Sequence, residues 1–180
     1  LTVRRGPDPE SSVSADPEPD PESVARAIVL RQLTMAPRSR LQLSRKLAER
    51  NVPEHVAEAV LDRFEEVQLI DDAEFARMWV RSRSQSKKLA KGALRRELTD
   101  KGIELDAAEE ALSQLSDQDE ELAARELIHR KLRPGVDLND RAERDKYTRR
   151  LASMLARKGY APSMAFRIVG EVLAEAGTLE

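Results

Sequence analysis

A chain that repeats itself at a fixed interval is not free in its choice of fold. Each copy must form the same supersecondary unit and bury the same apolar face. Residues 24–64, shifted forward by 51 positions, align with residues 75–115 without a gap. Nine of the 41 positions are identical: Ala25/Ala76, Arg26/Arg77, Val29/Val80, Leu43/Leu94, Arg45/Arg96, Leu47/Leu98, Ala57/Ala108, Glu58/Glu109 and Leu61/Leu112. A third copy follows. Leu94, Leu98, Gly102 and Ile103 map to Leu151, Leu155, Gly159 and Tyr160 at a shift of 57, while a first helix near Leu122 to Leu132 aligns at a shift of 47. The ten-residue difference predicts an inserted loop around Pro134–Asp140.

The unit that repeats is helical. Asp20 stands as an N-cap before Pro21, and Val24, Ile28 and Leu30–Leu33 recur at helix spacing. Ser39 and Gln42 form a capping-box pattern ahead of Leu43 and Leu47. Pro53 opens a third helix carrying Val56, Val60, Leu61 and Phe64. Asp71 is the matching cap of the second copy. Leu43/Leu47, Leu94/Leu98 and Leu151/Leu155 are i,i+4 pairs on one face. Asn51, Gly102 and Gly159 stand where a helix end needs a left-handed residue, each followed by an apolar closing contact, Val52, Ile103 or Tyr160. Phe64, Leu115 and Val172 are expected to end the third helices on their inner faces. The predicted fold is all-α: three tandem three-helix repeats at 22–69, 70–116 and 117–177, packed in a row as an elongated body. Residues 1–21 hold five of the nine prolines, five acidic residues and three large aliphatics. That composition predicts a disordered acidic tail.

Several function classes are excluded or disfavoured. With no cysteine, there is no disulfide framework, thiolate metal site or Cys nucleophile. His55 and His129 are far apart, and His129 is expected at the surface or in packing. Asp71 and Asp72 are explained by capping rather than by a metal. No phosphate-binding loop, dinucleotide fingerprint or nucleophile elbow is present, so no enzyme and no cofactor is expected. There is no membrane-length apolar run and no secretory signal pattern. Trp79, Tyr160 and Phe166 are expected in the cores.

Charge is nearly balanced, with 31 basic and 33 acidic residues, but it is segregated. Residues 77–101 carry nine basic and two acidic side chains, and residues 104–126 carry nine acidic and one basic. The segments 31–50 and 141–158 are basic and 54–74 is acidic. Second helices are therefore basic, and if the repeats stack in register they form a discontinuous stripe. A solvated face is the bland reading; a polyanion or an acidic protein surface is the sharper one. Arg81, Arg83, Lys87, Lys88, Lys91, Arg95 and Arg96 cluster at one helix–turn–helix corner, joined by Lys101 and by Arg149, Arg150, Arg157 and Lys158 of the third copy. The scarcity of aromatics, 3% of residues, argues against base stacking on single strands.

The run from Val67 to Arg83, Leu-Ile-Asp-Asp-x-x-Phe-Ala-x-x-Trp-Val at its centre, resembles the signature of the RecX regulatory proteins of bacterial recombination. So do Arg38-Ser-Arg-x-x-Leu, Lys91-Gly…Leu94-x-x-Glu-Leu-x-x-Lys-Gly102 and Leu155-Ala-Arg-Lys-Gly-Tyr160, which together cover about 22–176. The resemblance implies tandem three-helix repeats and a cytoplasmic protein. It implies binding to the RecA recombinase filament, with inhibition of its ATPase, coprotease and strand-exchange activities, and contact with single- or double-stranded DNA in some members. On this reading a monomer lies in the filament's groove, with the twelve cations above facing filament or DNA. The alternatives are a helical-repeat DNA-binding protein acting without RecA and a helical adaptor for an unrelated partner.

Overall fold

The computed structural model describes residues 19–177; the predicted tail falls largely outside them. Among the described residues there are nine helices and no strand. They are α1 (Pro21–Met35), α2 (Arg40–Glu49), α3 (Glu54–Glu66), α4 (Asp72–Lys87), α5 (Lys91–Asp100), α6 (Leu105–Leu112), α7 (Asp117–Lys131), α8 (Arg141–Arg157) and α9 (Pro162–Gly177). The principal helix–helix contacts all fall within the triplets α1–α3, α4–α6 and α7–α9.

Local chemistry sets the ends. Asp20 accepts from the Ser23 N–H at 3.2 Å, and Asp71 from the Glu74 N–H at 2.9 Å. Ser39 and Gln42 form a reciprocal capping box at α2. The second helices end on the left-handed residues Asn51 (φ 57°), Gly102 (75°) and Gly159 (90°). After each, the next residue's N–H closes on the carbonyl of the buried leucine five back: Val52 to Leu47, Ile103 to Leu98 and Tyr160 to Leu155, at 3.0–3.1 Å. These are three copies of one Schellman end. Each stops the second helix and turns the chain into the third.

Each triplet has its own apolar cluster. Leu43, Leu47, Ala57, Val60, Leu61 and Phe64 form the first with Ala25, Val29 and Ile70. The second is built from Phe75, Ala76, Val80, Leu94, Leu98, Ile103, Ala108, Ala111 and Leu112. The third includes Ala124, Ile128, Leu151, Leu155, Tyr160, Ala165, Ile168, Val169 and Val172. Equivalent positions are buried in all three copies, so burial gives the register directly. Ala25, Ala76 and Ala124, with Val29, Val80 and Ile128, superpose the third first helix at a shift of 48 rather than 47. The insertion is thus nine residues long; it widens the connection before α8 to 132–140 and lengthens the start of α8, which has 17 residues against the 10 of α5, and Leu138 of the connection plugs the third core. Three other expectations are corrected. Phe166 is 56% exposed, because it points away from the α7–α8 side of α9. Trp79 is only half-buried at the edge of the second core, with its ring stacked on Phe75 at 5.8 Å. Leu115 packs beyond the end of α6, not within it.

Neighbouring triplets meet through two joints of the same design. At the first, the buried Ser39 hydroxyl donates to the Lys101 carbonyl at 2.7 Å, and Leu41 seats on Gly102. At the second, the equivalent Ala90 N–H donates to the Lys158 carbonyl at 2.9 Å, and Gly92 seats on Gly159. The first-turn N–H of α2 and of α5, an orphan donor within its own helix, is taken by an acid of the next repeat. Arg40 N–H donates to Asp72 at 2.8 Å, and Lys91 N–H to Glu120 at 2.7 Å. The N-terminus of α2 therefore abuts the C-terminus of α5, and the N-terminus of α5 abuts the C-terminus of α8. This places opposite helix-dipole ends together.

Candidate functional site

One physical origin of the charge segregation is ion pairing between the helices of a repeat, second with third in the first two repeats. Arg40 is shared by Glu58, Asp62 and Glu65 of α3 at 2.5–2.7 Å. Arg95 binds Glu109 of α6 at 2.5 Å. In the third repeat, Arg125 of α7 is held by Glu121, Glu171 and Glu175, and Arg167 of α9 by Glu121 and Glu171. Half-exposed pairs of this kind contribute little individually, but they neutralise the cations they hold.

The predicted site residues accordingly separate into two groups. Arg83 forks onto Glu97, with Nε at 2.9 Å, and lies 5.4 Å from the Trp79 ring. Lys88 pairs with Glu126 at 2.8 Å, Lys91 with Asp117 at 3.1 Å, and Arg95 with Glu109. Lys101 places its ammonium 4.0 Å from the Trp79 ring centre, a cation–π contact. Lys158 donates to the Lys87 carbonyl at 2.6 Å across the second joint. Arg81, Lys87, Arg96, Arg149, Arg150 and Arg157 are exposed and have no carboxylate partner among the described residues. Arg157 donates to Ser153 at 2.7 Å.

Of the predicted residues, Lys87 and Arg83 gather with Lys158 at the second joint. Burial pushes the Lys158 ammonium below the ordinary lysine value, and the positive charges of Lys87, Arg130, Lys131 and Arg83 push it further the same way. Arg130 and Lys131, at the end of α7, join this group although sequence reasoning does not single them out. The His129-Arg-Lys131 run carried their signal, but only the fold brings it to Lys158. Lys101 is likewise lowered, first by burial and then by Arg38 and Arg83, against the opposing pull of Glu97. The Tyr160 hydroxyl donates to the Lys88 carbonyl at 3.0 Å, so this buried ring is part of the joint rather than of the charged face.

Glu97 is the anionic hub of the middle repeat. The Arg83 hydrogen bond is the largest cause of its lowered pKa, and the Trp79 indole N–H, at 2.8 Å, adds to it. A depressed carboxylate contributes stability that is present above the unfolded glutamate value and is lost as pH falls through the folded value. Arg83→Gln is expected to move the acid midpoint of Glu97 upward toward the ordinary 4.5. Trp79 emission followed against pH measures it, since the indole binds that carboxylate. An unmoved midpoint refutes the assignment of Arg83 as the main cause.

Among the described residues no helix is long and apolar enough to cross a membrane. Comparison with known proteins then fixes the kinship. The family model for the first three-helix domain of RecX matches residues 25–64, and that for the second matches residues 71–112. The regulatory protein RecX of Streptomyces coelicolor is 51% identical over 162 residues, covering 90% of this chain and 84% of that one. That of Thermobifida fusca is 46% identical over 168 residues, covering 91% and 86%. The crystal structure of RecX from Lactobacillus salivarius shares the fold with a TM-score of 0.72 at 20% identity, over 85% of this chain and 97% of that one. A second RecX crystal structure gives 0.71 at 24%, over 84% and 72%. Two matched domains, high identity over nearly the whole length and a shared fold agree: the chain belongs to the RecX family of regulatory proteins.

Proposed function

We propose that this chain restrains the RecA recombinase by lying along its DNA filament, with the repeats at 22–69, 70–116 and 117–177 touching successive protomers. The supporting observation is the pair of equivalent joints. They hold the basic helices α2, α5 and α8 end to end and leave Arg81, Lys87, Arg96, Arg149, Arg150 and Arg157 free of acidic partners. A row held in one geometry loses little entropy on binding, and weak contacts from several repeats add through effective concentration. Preference for one filament state then lowers ATP hydrolysis, coprotease and strand-exchange activity without any chemistry by this chain. RecA-catalysed ATP hydrolysis on single-stranded DNA, titrated with the protein, tests this. Strong suppression well below equimolar signifies blocked extension, and suppression near equimolar signifies occupancy along the filament. Undiminished hydrolysis at a large excess rejects the proposal.

A second reading, direct DNA binding, draws on the concentration of positive charge around Lys158. It requires tight binding to DNA in the absence of RecA, with an affinity that falls steeply as salt rises.

A further inference from the structure

We propose that the cleft between the first two repeats docks a protein segment in which a large apolar side chain stands beside a carboxylate. The apolar group enters among Leu33, Leu69, Phe75 and Met78, and the carboxylate closes on the Arg38 guanidinium. The cleft has a volume of about 240 Å³, enough for one large side chain, and it is open, with Leu69 53% exposed. Arg38 lines it. Its Nε is buried and has no hydrogen-bond partner among the described residues. A buried N–H without an acceptor is rare in folded proteins and needs a reason.

The fold itself does not supply that reason. Arg38 occupies the place that Leu89 takes in the next repeat, and Leu89 simply packs against the second core. An apolar residue thus satisfies this position structurally, and the guanidinium is surplus to folding. Its surroundings favour an incoming anion. Lys101 lies close by with its ammonium on the Trp79 ring, and Glu97 is already bound by Arg83 and the Trp79 N–H. The two acids on the cleft, Asp71 and Glu74, are engaged, one capping α4 and the other paired with Arg77. A nucleic acid fits less well. The Phe75 and Trp79 rings stack on each other and the cations cover Trp79, so no aromatic face is open to a base. The apolar lining suits a side chain, and the fork of a guanidinium suits a carboxylate. This docking site does not depend on the filament reading, since it concerns any protein partner bearing such a segment.

Trp79 is the single tryptophan of the chain and adjoins the cleft, so its emission reports occupancy. The whole protein is titrated with a short capped peptide alternating glutamate with leucine and phenylalanine. Two counterparts are titrated alongside, one with lysine for glutamate and one with serine for the apolar residues. The expected result is saturable binding of the first at least tenfold tighter than of either counterpart. Arg38→Leu should weaken it tenfold or more while raising the melting temperature, because the unpaired donor is gone. Arg38→Gln, which keeps a polar side chain, should weaken binding to a similar degree. Leu69→Ser should weaken binding without raising the melting temperature. Equal affinity for the three peptides, binding indifferent to both Arg38 variants, or displacement of the peptide by oligothymidylate of equal charge would overturn the proposal, the last in favour of nucleic acid.

Discussion

Gly159→Ala is expected to lower the unfolding free energy by about 4 kcal/mol, summed from the two costs that follow. Gly159 holds φ +90°, where an alanine costs about 1–2 kcal/mol. A Cβ there would lie 2.1 Å from the Ala93 nitrogen and 2.7 Å from its Cβ, so α5 has to move off the joint. Overpacking of this kind costs about 1–3 kcal/mol. The movement also strains the bonds from Ala90 to Lys158 and from Gly92 to Gly159, at 2.9 and 3.2 Å. Urea unfolding followed by circular dichroism measures the loss, and a change below about 1 kcal/mol would contradict the joint as described. Gly92→Ala strikes the same contact from the other side, with a Cβ 2.6 Å from the Gly159 carbonyl oxygen. The two substitutions together should therefore cost less than their sum. Gly170→Ala supplies the opposite sign. Gly170 is exposed within α9 with nothing within 4 Å of an added Cβ, so alanine there should add about 0.5–1 kcal/mol.

On the proposed filament reading, reversing four free cations, Arg96, Arg149, Arg150 and Arg157, to glutamate should weaken suppression of RecA ATP hydrolysis by about a thousandfold. Each reversed contact is worth about 1 kcal/mol, and four give three decades of affinity. All four side chains are exposed and lack carboxylate partners among the described residues, so stability should stay within about 0.5 kcal/mol per substitution. Arg40→Gln is the contrast. Its guanidinium serves three carboxylates of α3, and its loss should appear in the unfolding curve and leave suppression of RecA nearly intact. Loss of suppression by Arg40→Gln but not by the fourfold reversal would place the working surface elsewhere.

What the sequence disclosed was local. Asn51, Gly102 and Gly159 announced three helix ends because a left-handed residue followed by an apolar one is a short-range pattern, and all three have that geometry. The leucine pairs at i,i+4 marked the core faces for the same reason. Where recognition depended on distance through space, the signal failed. Gly92 and Gly159 touch across 67 positions, and nothing at either residue names the other. The basic stripe looked uniform in sequence. In the fold, Arg83, Lys88, Lys91 and Arg95 are bound to Glu97, Glu126, Asp117 and Glu109, whereas Arg81 and Arg96 are not. Hydrophobicity alone points Phe166 inward, but its helix already buries Ala165, Ile168, Val169, Val172 and Leu173 on the other side. The sequence alone sets the first helix of the third repeat one position off because few identities remain there, and burial of Ala124 and Ile128 gives its register.

The cores are drawn almost wholly from consecutive stretches of chain, Ala90 alone entering the third from the repeat before it, and this has a consequence for how the protein is made. The first is complete once Ile70 has been synthesised, and none of its members awaits the rest of the chain. A nascent chain leaving the ribosome can therefore finish one unit before the next emerges, with short contact order in each and little apolar surface left waiting for a distant mate. Only the couplings are late. Ser39 must wait for Lys101, and Ala90 for Lys158, so translation itself imposes the order in which the units are fastened.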